Sequence, residues 1–198
     1  MLKEHGGAVV YQNFISLDKI EIIRDEIKTL TRYKYDNKSE LHYTSESHMY
    51  VAFGESETLS SMFLSITEQI KTFIEGHYKC TVGSESIGSA VCTGEGWELS
   101  LHHDYFEIDG KSLETHAGYP SRDITSLLYL NDYGKDFNGG DLFMPNQDLF
   151  LFPKAGTLVV FPTSEDYKHQ VAPITSGERQ NVTTFWHVLE RFDLATHV

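Results

Sequence analysis

From Cys80 onward the chain is written in short β-rich runs: "SIGSAVC", "WELSLHH", "ITSLLYLND", "GDLFMP", "DLFLFP", "GTLVVFP", "HQVAPI" and "NVTTFWHVLE", separated by Gly, Pro, Asn and Asp. β-branched and aromatic residues suit a pleated, half-buried surface, and turn residues interrupt it at regular intervals. Many short strands of this kind close as a sandwich or a barrel. The segment before them has a different period. "SLDKIEIIRDEIKTL" places Leu17, Ile20, Ile23, Ile27 and Leu30 at helical spacing behind Ser16 as N-cap. "ESETLSSMFLSITEQIKTFIEGHY" repeats the pattern with Leu59, Phe63, Ile66, Ile70 and Phe73, and Gly76 is a stop signal. The expected fold is α+β, with helices covering one face of an antiparallel double sheet. No repeat or linker divides the chain, so a single domain is expected over 1–198, with 1–80 mainly helical support and 81–198 the β core.

Composition narrows the partners. The 198 residues carry a formal net charge of -13, which repels phosphate backbones and makes nucleic acid a poor partner. Two cysteines, Cys80 and Cys92, are no disulfide framework and fit a reducing compartment. "MLKEHGGAVVYQNF" lacks the apolar run of a signal peptide, and no stretch approaches membrane-spanning length. The expectation is a cytoplasmic protein that binds neither membrane nor nucleic acid, with its oligomeric state open.

The stretch "LHHDYFEIDG" contains His102-x-Asp104, two residues that share one face if the strand runs through them, with His103 turned away. A third ligand is required, and His169 qualifies because it opens the strand after "GTLVVFP", expected across the sandwich. Two imidazoles and one carboxylate cap one face of an ion and leave positions open, as in non-haem Fe(II) oxygenases. An open ferrous site needs an electron source to activate O2, and 2-oxoglutarate can provide it. Arg179, ten residues after His169 and past "SGE" read as a turn, is a permanent cation that grips a carboxylate bidentately.

Taken in order, "LHHD", "RDITSLLYLND", "GGDLFMP", "GTLVVFP", "HQVAPITSGER" and "NVTTFWH" resemble the prolyl 4-hydroxylase-like Fe(II)/2-oxoglutarate dioxygenases, over roughly residues 88 to 187. The resemblance implies a double-stranded β-helix, or jelly roll, around Fe(II). It implies His102, Asp104 and His169 as metal ligands and Arg179 and Tyr129 as holders of the far 2-oxoglutarate carboxylate. Thr183, Leu142 and Phe161 match further contacts and walls of that pocket. Many relatives have a tyrosine ten residues before the first metal histidine; here that position is Cys92, so a pocket hydrogen bond is missing or replaced. Related halogenases lack the triad carboxylate, whereas Asp104 is present, which favours hydroxylation.

The implied reaction consumes O2 and 2-oxoglutarate, hydroxylates an unactivated C–H bond and releases succinate and CO2, with ascorbate as an optional stimulant. A prolyl residue in a protein or peptide is the first substrate expected, and a free amino acid or small biosynthetic intermediate the alternative. A non-catalytic metal-binding or sensor jelly roll is the alternative of another class. Trp97, Phe185 and His187 are candidates to line the substrate mouth. "YFEIDGKSLETHAGYPSR", with His116, and "YTSESHMYVAFGES" read as loops able to act as lids, and their acidic residues favour a neutral or basic substrate.

Overall fold

The computed structural model describes residues 1–34, 47–84, 88–104, 107–108, 111–112 and 122–191. In chain order the strands are β1 (Leu2–His5), β2 (Ala8–Tyr11), β3 (Tyr33–Lys34), β4 (His48–Ala52), β5 (Cys80–Ser84), β6 (Ser89–Gly94), β7 (Leu99–His102), β8 (Glu107–Ile108), β9 (Lys111–Ser112), β10 (Ile124–Tyr129), β11 (Phe137–Gly139), β12 (Leu142–Met144), β13 (Leu149–Leu151), β14 (Leu158–Pro162), β15 (His169–Val171) and β16 (Ile174–Arg191). Helix α1 spans Leu17–Thr29 and α2 spans Glu57–Tyr78.

Among the described residues, the large sheet runs β1-β2-β14-β10-β16-β6-β4-β3, with β5 and β11 also paired to β16. A smaller sheet, β13-β12-β15-β7, faces it. All these pairs are antiparallel. Two apolar layers result. Between the large sheet and the helices lie Ile20, Ile23, Ile27, Leu59, Phe63, Ile66 and Ile70, packed with sheet residues such as Leu128, Val182 and Trp186. Between the two sheets lie Trp97, Leu127, Tyr129, Leu142, Val159, Phe161 and Val171. This is a jelly-roll core with helices on one outer face. Alternation along the central part of β16 separates the layers: Val182, Trp186 and Val188 belong to the helix side, so Arg179 and the odd-numbered residues up to His187 face the sandwich interior, as Ile174 does before the register shift.

The first eighty residues are more than helical support. They also supply β1 to β4, which extend the large sheet on both sides. "AVVY" is buried along its length and pairs with β14, so it reads as strand only once that neighbour is present. The stretch "YTSESHMYVAFGES", read as loop with room for a short strand, contains that strand as β4 and a 3-10 turn at Phe53–Glu55. The long segment after Asp104 includes the paired β8 and β9, while 105–106, 109–110 and 113–121 lie outside the described residues. So do 35–46, and with these segments go His116, most of the first proposed lid (105–122) and the first four residues of the second (43–46).

Two stop signals are also corrected. Helix α2 passes through Gly76 and ends at Tyr78, where Lys79 takes a left-handed conformation (φ 54°). "SGE" is no turn between strands: β16 runs through it, with Gly177 at φ 75°. A Cβ at Gly177 would overlap the Asp136 carbonyl, so glycine lets β16 and β11 stay paired there. Among the described residues no helix is long and apolar enough to cross a membrane.

Candidate metal and anion site

His102 ends β7 and His169 begins β15, and the two are directly paired across neighbouring strands of the small sheet. His169 is therefore beside His102, not on the opposite sheet as expected. Asp104 lies two residues past the end of β7, so its approach is not a matter of strand parity. It is brought in by the large sheet: Thr125 Oγ1, on β10, donates to Asp104 Oδ2 at 2.6 Å. Asp104 Oδ1 stands 3.4 Å from His102 Nε2, and Oδ2 stands 3.7 Å from His169 Nε2. The ligand atoms of these three residues all lie within 4.8 Å of one another, a group that could hold one metal ion.

The remaining ring nitrogens are occupied. His102 Nδ1 bonds the Ser100 carbonyl at 2.8 Å and His169 Nδ1 the Tyr167 carbonyl at 3.2 Å. A carbonyl only accepts, so each Nδ1 carries the proton and each Nε2 offers a lone pair towards Asp104. Burial opposes ionisation of Asp104, but His169, His102 and the Thr125 hydroxyl outweigh it and hold its carboxyl at about 2. Burial moves His169 below the ordinary histidine range. Burial also disfavours the charged form of His102, yet the Asp104 carboxylate and backbone carbonyls leave it raised. Phe161 packs its ring 4.8 Å from that of His169, which places this expected pocket wall beside the metal ligands.

Farther along β10 and β16 lies a second polar group. Arg179 is only 3% exposed, and no acidic residue pairs with it among the described residues. Its Nη1 donates to Asn181 Oδ1 at 2.9 Å and its Nη2 to the Tyr129 hydroxyl at 3.3 Å. Its Nε is buried with no hydrogen-bond partner. Asn181 and Tyr129 face each other across β16 and β10, and Asn181 Nδ2 donates to Thr183 Oγ1 at 2.9 Å. Gly140, from "GGD", makes space for this arginine, since a Cβ there would press on Arg179 Cδ. A buried cation without a carboxylate is costly, and an incoming anion is the natural compensation. Leu142 is fully buried in the same layer between the sheets.

Two expectations shift. Trp97 does not line a mouth: it is buried, with its ring centroid 5.9 Å from the Arg179 guanidinium carbon, so it walls the anion end. Cys92 faces the helices, where burial pushes its thiol up to about 12. The residue opposite Arg179 is instead Thr93, fully buried. Phe185 lies under the Arg122 guanidinium at 3.7 Å, and His187 packs over Gly83, where a Cβ would overlap its Nε2. Thr125 and Asn181 were missed because neither residue type marks chemistry by itself.

A family model described as the 2OG-Fe(II) oxygenase superfamily matches residues 88–187, just over half of the chain. The chain belongs to that superfamily. That membership makes it one of the 2-oxoglutarate- and Fe(II)-dependent oxygenases. The oxygenase is 34% identical over 146 residues to mouse prolyl 3-hydroxylase 3, a match that covers 65% of this chain and 19% of that protein. It superposes on the viral collagen prolyl hydroxylase of Paramecium bursaria Chlorella virus-1, solved with 2OG, at a TM-score of 0.65 and 16% identity, covering 94% of this chain and 96% of that one. A Trichoplax adhaerens prolyl hydroxylase, solved with a fragment of the hypoxia-inducible-factor oxygen degradation domain, gives a TM-score of 0.66 at 17% identity, covering 91% and 83%. These structural likenesses establish the jelly-roll fold of the oxygenase.

Proposed function

We propose that this oxygenase hydroxylates a prolyl residue in a protein or peptide, holding Fe(II) at His102, Asp104 and His169 and 2-oxoglutarate against Arg179. The observation that carries the reading is the pairing of two unlike polar groups in one interior. At one end, two imidazole Nε2 atoms and a carboxylate converge within 4.8 Å. At the other, a buried guanidinium has an unused Nε and no acidic partner among the described residues. Thr125 and Tyr129 mark the two ends on one strand, four residues apart, about 13 Å of strand. By parity both side chains lie on the interior face of β10, with Leu127 between them.

Fe(II) and 2-oxoglutarate, when bound there, would activate O2, with one oxygen atom going to the substrate as hydroxyl, the other to succinate, and CO2 released. The residues of the chain bind and orient. Thr125 keeps Asp104 turned towards the imidazoles. The Ser100 and Tyr167 carbonyls fix both rings in the ligating tautomer. Arg179 and Tyr129 hold the distal carboxylate, and Leu142, Phe161 and Trp97 exclude water around it. Phe185 and His187, farther along the same face of β16, are the proposed substrate contacts. Similarity to prolyl 3-hydroxylase 3 and to a peptide-bound prolyl hydroxylase supports the prolyl substrate.

Two measurements test the reading. Anaerobic Fe(II) titration with 2-oxoglutarate is expected to develop the weak visible charge-transfer band of the chelate. Incubation with a panel of proline-containing peptides is expected to add the mass of one oxygen atom to a peptide, with one succinate per hydroxylation. Absence of the band removes the cofactor assignment; a band with turnover of free amino acids alone removes the peptidyl substrate.

A further inference from the structure

The interior face of the large sheet carries one histidine that neither the metal site nor the substrate contacts use. His48, on β4, is paired with Thr93 on β6, and Thr93 is paired with Arg179 on β16. Directly paired residues project to the same side, so His48, Thr93 and Arg179 form a transverse row facing the sandwich interior. The rest of β4 agrees: Val51 and Met49 belong to the helix-side layer, which leaves His48 and Tyr50 on the interior side. His48 is 6% exposed, and its ring centroid is 5.6 Å from that of Trp97, which in turn lies against Arg179. Thr93 between them is fully buried and carries a short side chain, flanked by the longer His48 and Arg179.

We propose that His48 is a co-substrate-binding residue of this oxygenase, an N–H donor from β4 that meets the same carboxylate as Arg179. The proposal rests on the 2-oxoglutarate reading of the Arg179 pocket. A neutral imidazole suits the place. It adds a donor to the anion without setting a second full charge beside the guanidinium, and both burial and the Arg179 charge keep His48 neutral, holding it down to about 4. The pocket is thereby closed by a strand from the N-terminal third of the chain, outside the residues 88–187 that the family model matches. Affinity for the co-substrate then depends on how β4 is seated against β6, a pairing that runs from His48↔Thr93 to Ala52↔Ser89.

The test is calorimetric and spectroscopic binding of 2-oxoglutarate to the full chain loaded anaerobically with Fe(II), with Fe(II) affinity measured separately. His48→Ala is expected to weaken 2-oxoglutarate by about tenfold or more, the loss of one hydrogen bond to a charged group. His48→Gln, which keeps an amide donor, is expected to stay within about threefold, and Fe(II) affinity is expected to be unchanged in both. His48→Phe keeps the ring volume without a donor and carries the test if His48→Ala does not fold. An unchanged 2-oxoglutarate affinity in His48→Phe and His48→Ala overturns the proposal, as does an equal loss in His48→Gln accompanied by weakened Fe(II). Arg179→Ala separates the two readings. If it weakens 2-oxoglutarate while the His48 variants do not, the proposal alone fails; if it has no effect, the pocket assignment itself fails.

Discussion

At the metal corner, His102 and His169 come from two neighbouring strands of the small sheet, and each ring is fixed by the carbonyl two residues before it. The Arg179 end is assembled otherwise. Arg179 and Asn181 come from β16, Tyr129 from β10, Thr93 from β6 and His48 from β4, with Trp97 closing over them. The first site is locally determined and touches the large sheet chiefly through Thr125. The second exists only when four strands of that sheet are in register. Damage at the metal corner should therefore stay local, and damage at the anion end should be felt in both affinity and stability.

The sharpest contrast comes from removing ligands. His169→Ala and Asp104→Ala should each weaken Fe(II) binding by more than about 100-fold, above the range for outer-shell partners. Their unfolding midpoints in urea should stay near that of the wild-type metal-free protein. His103→Ala, one residue away, should leave Fe(II) affinity intact; an equal loss there would break the ligand assignment.

Arg179 should show the opposite balance. Arg179→Ala should cost about 3–5 kcal/mol of 2-oxoglutarate binding, the scale for breaking a buried charge pair. Arg179→Met, which fills the same space without charge, should raise the urea stability of the ligand-free protein by about 1–4 kcal/mol while abolishing co-substrate binding. A destabilised Arg179→Met would mean that the guanidinium holds the sheet together and is not stored for a ligand.

His48 gives the comparison a pH axis. Its folded-state pKa is about 4, below the ordinary 6.5, because burial and then the Arg179 charge disfavour the imidazolium. For a base held down in this way the unfolded chain binds the proton more readily. The cost to folding is absent above pH 6.5, grows as pH falls towards 4 and is constant below that. The full span is about 3 kcal/mol. Urea melts of wild type and His48→Gln across this window should diverge from pH 6.5 downward, with the variant losing less. Parallel curves would mean that the imidazole is neither buried nor beside Arg179.

Smaller effects complete the series. Thr125→Val should weaken Fe(II) about tenfold, the scale of one hydrogen bond to an ionised acceptor, with Thr125→Ser restoring most of it. Tyr129→Phe should cost about 1 kcal/mol of 2-oxoglutarate affinity, because it deletes one hydrogen bond that is long at 3.3 Å.

Legibility in the sequence followed the same divide. The eight strand runs after Cys80 all appear as strands, because alternation and turn residues are local signals. His102, Asp104, His169 and Arg179 were singled out through ordered motifs, and the structure brings the first three together. The reason given for Asp104 was incomplete, since strand parity stops at His102 and Thr125 does the remaining positioning. Trp97 was placed at the mouth because a large aromatic near the metal histidine has no direction in a sequence. The structure turns it inward against Arg179. Cys92 was counted as a pocket position by its spacing, but cross-strand register gives that place to Thr93.

What the sequence determined by itself is the chemistry and the alternation: which residues can ligate or pair, and which runs are strand or helix. Those follow from side-chain type and from periods of two and 3.6 residues, both contained within short stretches of chain. Only the tertiary structure decided which strands lie side by side. Register set His169 next to His102, Thr93 opposite Arg179 and His48 beyond Thr93. Pairing between β4 and β6 spans about forty residues, and the free energy that selects it comes from burying whole faces against the helices. No local pattern in "HMYVA" could have named its neighbour.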